Sequence, residues 1–188
     1  MKIWLSSLFL PFLTGCALMS TTYVDPVEYD LSTREDPLPE VRFEVGTFRN
    51  LSGSDRRFLY REKSCRMIAD DYNRWLLSPD LMLERQMYRI LSPDGERASG
   101  RNGTFVRISG TIYRFDFDLS PRQAVLSVDY TVRIFTDRKL VGSENLAVTT
   151  REAIHDDTPD AAAEAMSRCV QHSIDRVRAI LAETKTGK

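Results

Sequence analysis

His155, followed directly by Asp156 and Asp157, is the residue in this chain best suited to general acid–base work, because an imidazole beside a carboxylate can hold or pass a proton near neutral pH. His172 is the second such group. Asp116 and Asp118 flank Phe117 at a strand end, which suits a paired-carboxylate site. Each has an ordinary alternative. His155 reads equally as part of a solvated connector, His172 lies off the central stripe of a helix, and the two aspartates fit the wet side of an amphipathic strand. Cysteine ligand pairs, a phosphate-cradling glycine loop, a nucleophile elbow and a histidine-rich metal motif are absent from the sequence. The expectation is a protein that is not an enzyme and uses no metal or cofactor. A cryptic hydrolase built on His155 with Asp156 or Asp157 is the rival from another class.

The cysteines carry a different chemistry. Leu13-Thr14-Gly15-Cys16 closes an apolar run, Ile3 to Leu13, that follows the cationic Met1-Lys2. That run is too short to span a bilayer and has the order of an export signal. The four residues resemble the lipobox of bacterial prolipoproteins, with Cys16 as the acylated new N-terminus. Multiple acyl chains, palmitate among them, then anchor a soluble-like domain to a membrane surface. With Cys16 acylated, Cys65 and Cys169 remain in a compartment where disulfides persist. They are expected to pair, closing a loop worth roughly 4–5 kcal/mol in the chain-entropy account; two free thiols in a core are the alternative.

Loss of residues 1–15 leaves 173 of 188 residues, the size of one domain. Lys2 is the one charge removed, so the formal balance moves from −1 to −2, which argues against nucleic acid as a partner. Arg56, Arg57, Arg61, Lys63 and Arg66 form a dense basic cluster, with Asp55, Glu62, Asp70 and Asp71 interspersed. It is either a solvated face or a surface for an acidic partner or headgroup. Tyr72 and Trp75 are either core packing or, if exposed, an interface. Arg56, Arg57, Arg61, Tyr72 and Trp75 together are the candidate partner surface.

These residues must be held by a small set of elements. Residues 16–40 mix Ser, Thr, Asp, Glu and Pro and read as a lipidated N-terminus and tether, with a reach of at most about 80 Å. Tyr29 and Leu31 are its apolar exceptions and the first residues expected to be pinned to the fold. Residues 41–184 then form one domain. Val41, Phe43 and Val45 alternate with Arg42 and Glu44 as a half-buried strand reaching Phe48. Phe58-Leu59-Tyr60 and Met67-Ile68-Ala69 are one bent strand or two short ones.

Ser78-Pro79-Asp80 starts a helix that presents Leu83, Met87, Ile90 and Leu91 at helical spacing, and Ser92-Pro93-Asp94-Gly95 stops it. Strands follow over Thr104 to Phe117, Ala124 to Phe135 and Leu140 to Thr150. The phase of apolar residues changes between Ile112 and Tyr113, which implies a bulge or a doubly covered strand end. A long helix from Thr158-Pro159-Asp160 carries Cys169 on its apolar stripe and ends near Ala182. The expected fold is α+β, a mostly antiparallel sheet of four to five strands with two helices packed on one face.

The lipobox, the Tyr29-x-Leu31 segment, Phe58-Leu59-Tyr60-Arg61, Tyr72-x-x-Trp75 leading into the Ser78-Pro79 helix with its closing Ile90-Leu91, and the Ala-rich helix from Asp160 together resemble the auxiliary lipoproteins of ABC-type transport systems. These PqiC-like components accompany lipid-transporting MCE proteins. The segment from Arg49 to Arg57 departs from that family's Leu-Asp-Arg-rich stretch. The resemblance implies a non-enzymatic periplasmic domain, tethered to the outer membrane, that docks onto or caps a lipid conduit and can form a homo-oligomeric ring. An MCE-domain protein and an ABC permease are the implied partners. Ala17, after the acylated cysteine, resembles outer-membrane-sorted lipoproteins of enterobacteria. The first rival is an assembly factor similar to the lipopolysaccharide-assembly lipoproteins, plugging or chaperoning an outer-membrane β-barrel.

Overall fold

Alternation of apolar and polar residues, clearest in the second, marks the three longest strands, β5 (Thr104–Leu119), β6 (Arg122–Thr136) and β7 (Lys139–Ala153), which form an antiparallel meander. The computed structural model describes residues 24–34, 42–91 and 103–186. The signal segment 1–15, Leu13-Thr14-Gly15-Cys16, Val41 and the expected helix stop at Ser92-Pro93-Asp94-Gly95 lie outside them. Ala124, Leu126, Val128, Tyr130 and Val132 on β6 are all buried on the inner face. The phase change in β5 is a bulge: the register with β6 slips between Ile112 and Arg114. Tyr113 is the extra residue, and Phe115 and Phe117 return to the inner face with Ile108 and Ile112.

Four shorter strands complete the sheet: β1 (Val27–Tyr29), β2 (Phe43–Asn50), β3 (Arg57–Glu62) and β4 (Arg66–Trp75). The two apolar runs read as one bent strand or two are separate strands, joined by a 3₁₀ turn at Lys63–Cys65. The order is β1-β4-β3-β5-β6-β7, with β2 also on β5. β2 takes residues 106–112 of β5 and β3 takes 117 and 118.

The expected mostly antiparallel sheet of four to five strands is therefore wrong. The sheet has seven strands, and β1/β4, β2/β5 and β3/β5 are parallel pairs. Period-two alternation reports which face is buried and says nothing about strand direction. Direction is set by the connections: helix α1 (Pro79–Leu91) lies between β4 and β5 and returns the chain so that β5 runs alongside β2 and β3. The α+β class itself holds.

Both helices pack on the inner face, α1 against β2 and α2 (Pro159–Thr186) against β6 and β7, and share one core with the sheet. The stripe Leu83, Met87, Ile90, Leu91 is buried as the spacing implied. α1 also supplies the partners that the bulged β2 lacks. Where the β2 register slips between Val45 and Phe48, Glu84 Oε1 accepts from Phe48 N at 2.9 Å and Tyr88 OH donates to the Val45 carbonyl at 3.3 Å. Phe48 in turn occupies the space a side chain would need at Gly110, where an added Cβ would sit 2.7 Å from the Phe48 ring. α2 begins with Thr158 Oγ1 accepting from Ala161 N at 3.2 Å, a side-chain N-cap. Tyr130 OH and Ser173 Oγ, both buried, share a hydrogen bond of 2.6 Å that pins α2 to β6.

Candidate functional site

Residues 27–34, expected to belong to the tether, are built into the fold. β1 adds to the free edge of β4 with Val27 opposite Asn73 and Tyr29 opposite Trp75. The Tyr29 ring lies 5.0 Å from Phe58, and the Tyr29 carbonyl accepts from Leu76 N at 2.8 Å. Past Asp30, which pairs with Arg85, Leu31 enters the core and is 2 % exposed.

The backbone that follows is held by side chains of both helices. From α1, the buried Gln86 donates through Nε2 to the Leu31 carbonyl at 3.1 Å and accepts from Thr33 Oγ1 at 2.7 Å. From α2, Ser167 Oγ accepts from Ser32 N at 3.0 Å and Gln171 Oε1 accepts from Arg34 N at 2.8 Å. A strand edge, one apolar plug and four hydrogen bonds thus fasten the N-terminal chain between α1 and α2. Tyr29 and Leu31 were the sequence signal for this strap. Nothing in the periodicity marked Gln86, Ser167 and Gln171 as its holders, because a polar residue on a buried helix face breaks the pattern that identifies the face.

The candidate partner surface is not one surface. Arg56 Nε donates to the Trp75 carbonyl at 3.0 Å and its Nη2 meets Glu28 at 2.8 Å, which fastens β1 and the end of β4 to the start of β3. Arg57 pairs with Asp55 and Asp71; hydrogen bonds from the Arg57 and Arg56 backbone N–H groups outweigh desolvation and hold the Asp55 carboxyl down at about 2. Arg61 lies on the outer sheet face, where its Nη2 meets Asp116 Oδ2 at 2.9 Å. Arg114 meets Asp118 at 2.7 Å and shares the buried Asp116. Trp75 is fully buried, its ring 4.4 Å from Phe58 and edge-on to Phe115 at 5.2 Å. Tyr72 alone of the five presents an exposed ring, 62 % accessible.

The acid–base candidates are likewise separated or engaged. Asp116 and Asp118 form a closed ionic network with two arginines, which is how a carboxylate is accommodated out of water. Asp157 pairs with Arg122, and Asp156 caps the Asp157 N–H. His172 lies on the opposite side of α2 from its buried stripe and bonds Glu152 at 2.8 Å.

The Cys65–Cys169 disulfide is not formed; both are free thiols. Cys65 is exposed in the turn between β3 and β4, whereas Cys169 is buried with its Sγ donating to the Ala124 carbonyl at 3.4 Å. Burial pushes the Cys169 thiol up to about 12. The α2 stripe packs on β6 and β7, on the other side of β5 from the β3–β4 hairpin, so the helix that carries Cys169 and the turn that carries Cys65 adjoin different strands. A disulfide requires Cα atoms within roughly 7 Å.

Besides a cleft of about 470 Å³ along the strap, lined by Ser32, Thr33, Gln171 and His172 among others, two more concavities occur among the described residues. One, of about 250 Å³, lies where the end of β5 meets the start of α2 and is floored by Tyr60, Phe117, Leu119, Ile154 and Pro159. The other is a polar trough of about 530 Å³ on the outer sheet face, lined by Thr47, Arg49, Ser109, Thr111, Asp129 and Asn145 among others. No helix among the described residues is long and apolar enough to cross a membrane, and no cluster of three or more candidate metal ligands occurs among them.

No protein-family model matches the chain, and no curated protein matches its sequence. Solved structures do share its fold. The crystal structure of a Xanthomonas campestris protein, whose family model is DUF330, superposes with a TM-score of 0.64 at 14 % identity, covering 86 % of this chain and all of that one. The crystal structure of an uncharacterized protein gives a TM-score of 0.60 at 13 % identity over 84 % of this chain and 99 % of the other. A Caulobacter crescentus chain provisionally described as a lipoprotein gives 0.39 at 15 % identity, over 75 % of this chain and 92 % of that one, a likeness too distant to carry an argument. At such identities the shared property is the fold.

Proposed function

We propose that this protein is a lipid-anchored accessory subunit of an ABC/MCE-type lipid transporter. It acts at the periplasmic face of the outer membrane by docking onto or capping the conduit, without chemistry of its own. The observation that carries this reading is the strap. The chain from Leu31 to Arg34, on the path that would lead from Cys16, is fastened between the two helices by Leu31, Gln86, Ser167 and Gln171, which shortens the distance between an anchor and the folded body. A positioning subunit needs such a short link; an enzyme on a long leash does not.

Three of the candidate carboxylates have structural uses, Asp116 and Asp118 in the arginine network and Asp157 with Arg122. The likeness of fold to a DUF330 protein, covered over its whole length, agrees with a single folded domain. Affinity capture from detergent-solubilised envelopes tests the proposal. Recovery of an MCE-domain protein or an ABC permease is expected; recovery of an outer-membrane β-barrel in their place, or of neither, overturns it.

A further inference from the structure

The end of the sheet where β5 begins and β6 turns into β7 brings apolar and basic side chains together at the surface. Phe105 and Phe135 stack with ring centroids 4.9 Å apart and planes inclined by 8°, and the Arg107 guanidinium lies over the Phe135 ring at 5.2 Å. Leu140 pairs with Phe135 on the next strand, so the three form one apolar row across β5, β6 and β7 on the outer face, in which Leu140 is 55 % exposed. Val141, the extra residue where the β6–β7 register slips, follows it and is 62 % exposed. An apolar row rimmed by charge has the make-up of an interaction site.

The rim is basic. Arg133, on the same face as Phe135, and Arg138 and Lys139, in and after the turn, have no hydrogen-bond or ion-pair partner among the described residues. Nearby carboxylates are engaged or turned away: Glu44 meets Arg107 at 2.9 Å, Asp137 accepts from Gly103 N at 2.9 Å, and Glu144 pairs with the buried Val132 and so lies on the opposite face. The turn also holds a cation against its backbone preference. Asp137 and Arg138 have φ of 48° and 68°, the left-handed region that a two-residue hairpin requires and that glycine or asparagine enters most easily. Strain of this kind is kept where a side chain has a contact to make.

Resting on the accessory-subunit reading above, we infer that this hairpin end, with Phe105, Phe135, Leu140, Arg133, Arg138 and Lys139, is the face that docks onto the transporter, and that it fits a protein surface with an apolar seat edged by carboxylates. Charge complementarity selects an acidic partner. Strand direction favours a protein over the anchoring bilayer: β1 is parallel to β4, β4 antiparallel to β3 and β3 parallel to β5, so β1 runs toward the hairpin end and the chain joins the fold away from it. That leaves this end free for a partner when the chain is anchored. The apolar row is also flat, with Phe105 and Phe135 half-buried, which suits a packed protein surface more than insertion among acyl chains.

The test uses the acylated full-length protein and capture from detergent-solubilised envelopes, with the MCE-domain protein or ABC permease recovered by the wild type as the readout. Arg133→Glu is expected to recover about tenfold less of it. Arg138→Gly, which suits the left-handed turn, is expected to recover less while melting no lower than the wild type. Arg151→Glu, a reversal of an exposed charge at the other end of β7, is the control and should recover as the wild type does; thermal melts followed by circular dichroism verify that each variant folds. In intact envelopes, p-benzoylphenylalanine at position 140 is expected to cross-link to the same transporter component. Undiminished capture by both hairpin variants, or an equal loss with Arg151→Glu, overturns the inference and leaves the accessory role standing. Cross-links from position 140 to phospholipid or to a second copy of this chain, in place of the transporter component, also overturn it. Recovery of neither component by the wild type defeats the accessory reading itself.

Discussion

Asp116 shows how far a residue's type can differ from its use. In sequence it is one half of a carboxylate pair; in the fold it is fully buried between Arg61 and Arg114, each of whose side chains is 25 % exposed. Removing one member of a buried ionic cluster leaves the others uncompensated, at about 3–5 kcal/mol. Asp116→Asn is expected to lower stability by that order in urea unfolding without altering partner capture, whereas a catalytic Asp116 would tolerate Asn with little change in the melt. Trp75 was a candidate contact and is a core residue. Trp75→Ala is expected to cost about 3–5 kcal/mol, read as a loss of midpoint in the same titration.

The two thiols differ in the same way. Cys65 is exposed, so Ellman's reagent is expected to titrate it at once in folded, acylated protein, and Cys169 only after unfolding. Desolvation raises the folded Cys169 thiol from its ordinary 9.0 to about 12. The folded state then holds the proton more tightly than the unfolded state. Its contribution to stability is complete below pH 9 and is lost as the pH climbs from 9 toward 12. Thermal melts across that range check this, and Cys169→Ala should flatten the decline.

At the scale of elements, the strap and the β2 bulge are where side chains of one element complete the backbone of another. Leu31→Ala removes the apolar plug and is expected to cost about 2–5 kcal/mol. A chain beginning at residue 24 should melt as the mature protein does. One beginning at residue 35 should fold poorly, because β4 then presents a bare edge and Gln86 loses its backbone partner. Gly110→Ala forces the Phe48 ring to move and is expected to destabilise by about 1–3 kcal/mol, measurable by calorimetry. The helix stripes, the cap at Thr158 and the β5 bulge were legible in the sequence, since each follows from local spacing. Gln86, Ser167 and Gln171 were not. A buried amide or hydroxyl is recognisable only once the backbone group it satisfies, more than fifty residues away in each case, has been placed.

For the whole molecule, the strap fixes the chain to the fold well before residue 40. On the proposed anchoring at Cys16, a tether over residues 16–40 would let the domain roam some 80 Å, whereas one that ends at Val24 limits it to about 29 Å. If the proposed docking role holds, lengthening the chain between Cys16 and Val24 with Gly and Ser is expected to weaken capture of an MCE-domain protein or ABC permease as the reach grows, while a signal-like role for that segment alone would leave capture unchanged. The sequence by itself determined the α+β class, both helices, the three long strands and the face that β6 buries, because these are local consequences of periodicity and end signals. The tertiary structure alone decided the parallel pairings, the place of β1, the separation of Cys65 from Cys169 and the dispersal of Arg56, Arg57, Arg61, Tyr72 and Trp75. Those depend on which distant segments meet, and a one-dimensional pattern records that a face is buried but not what buries it.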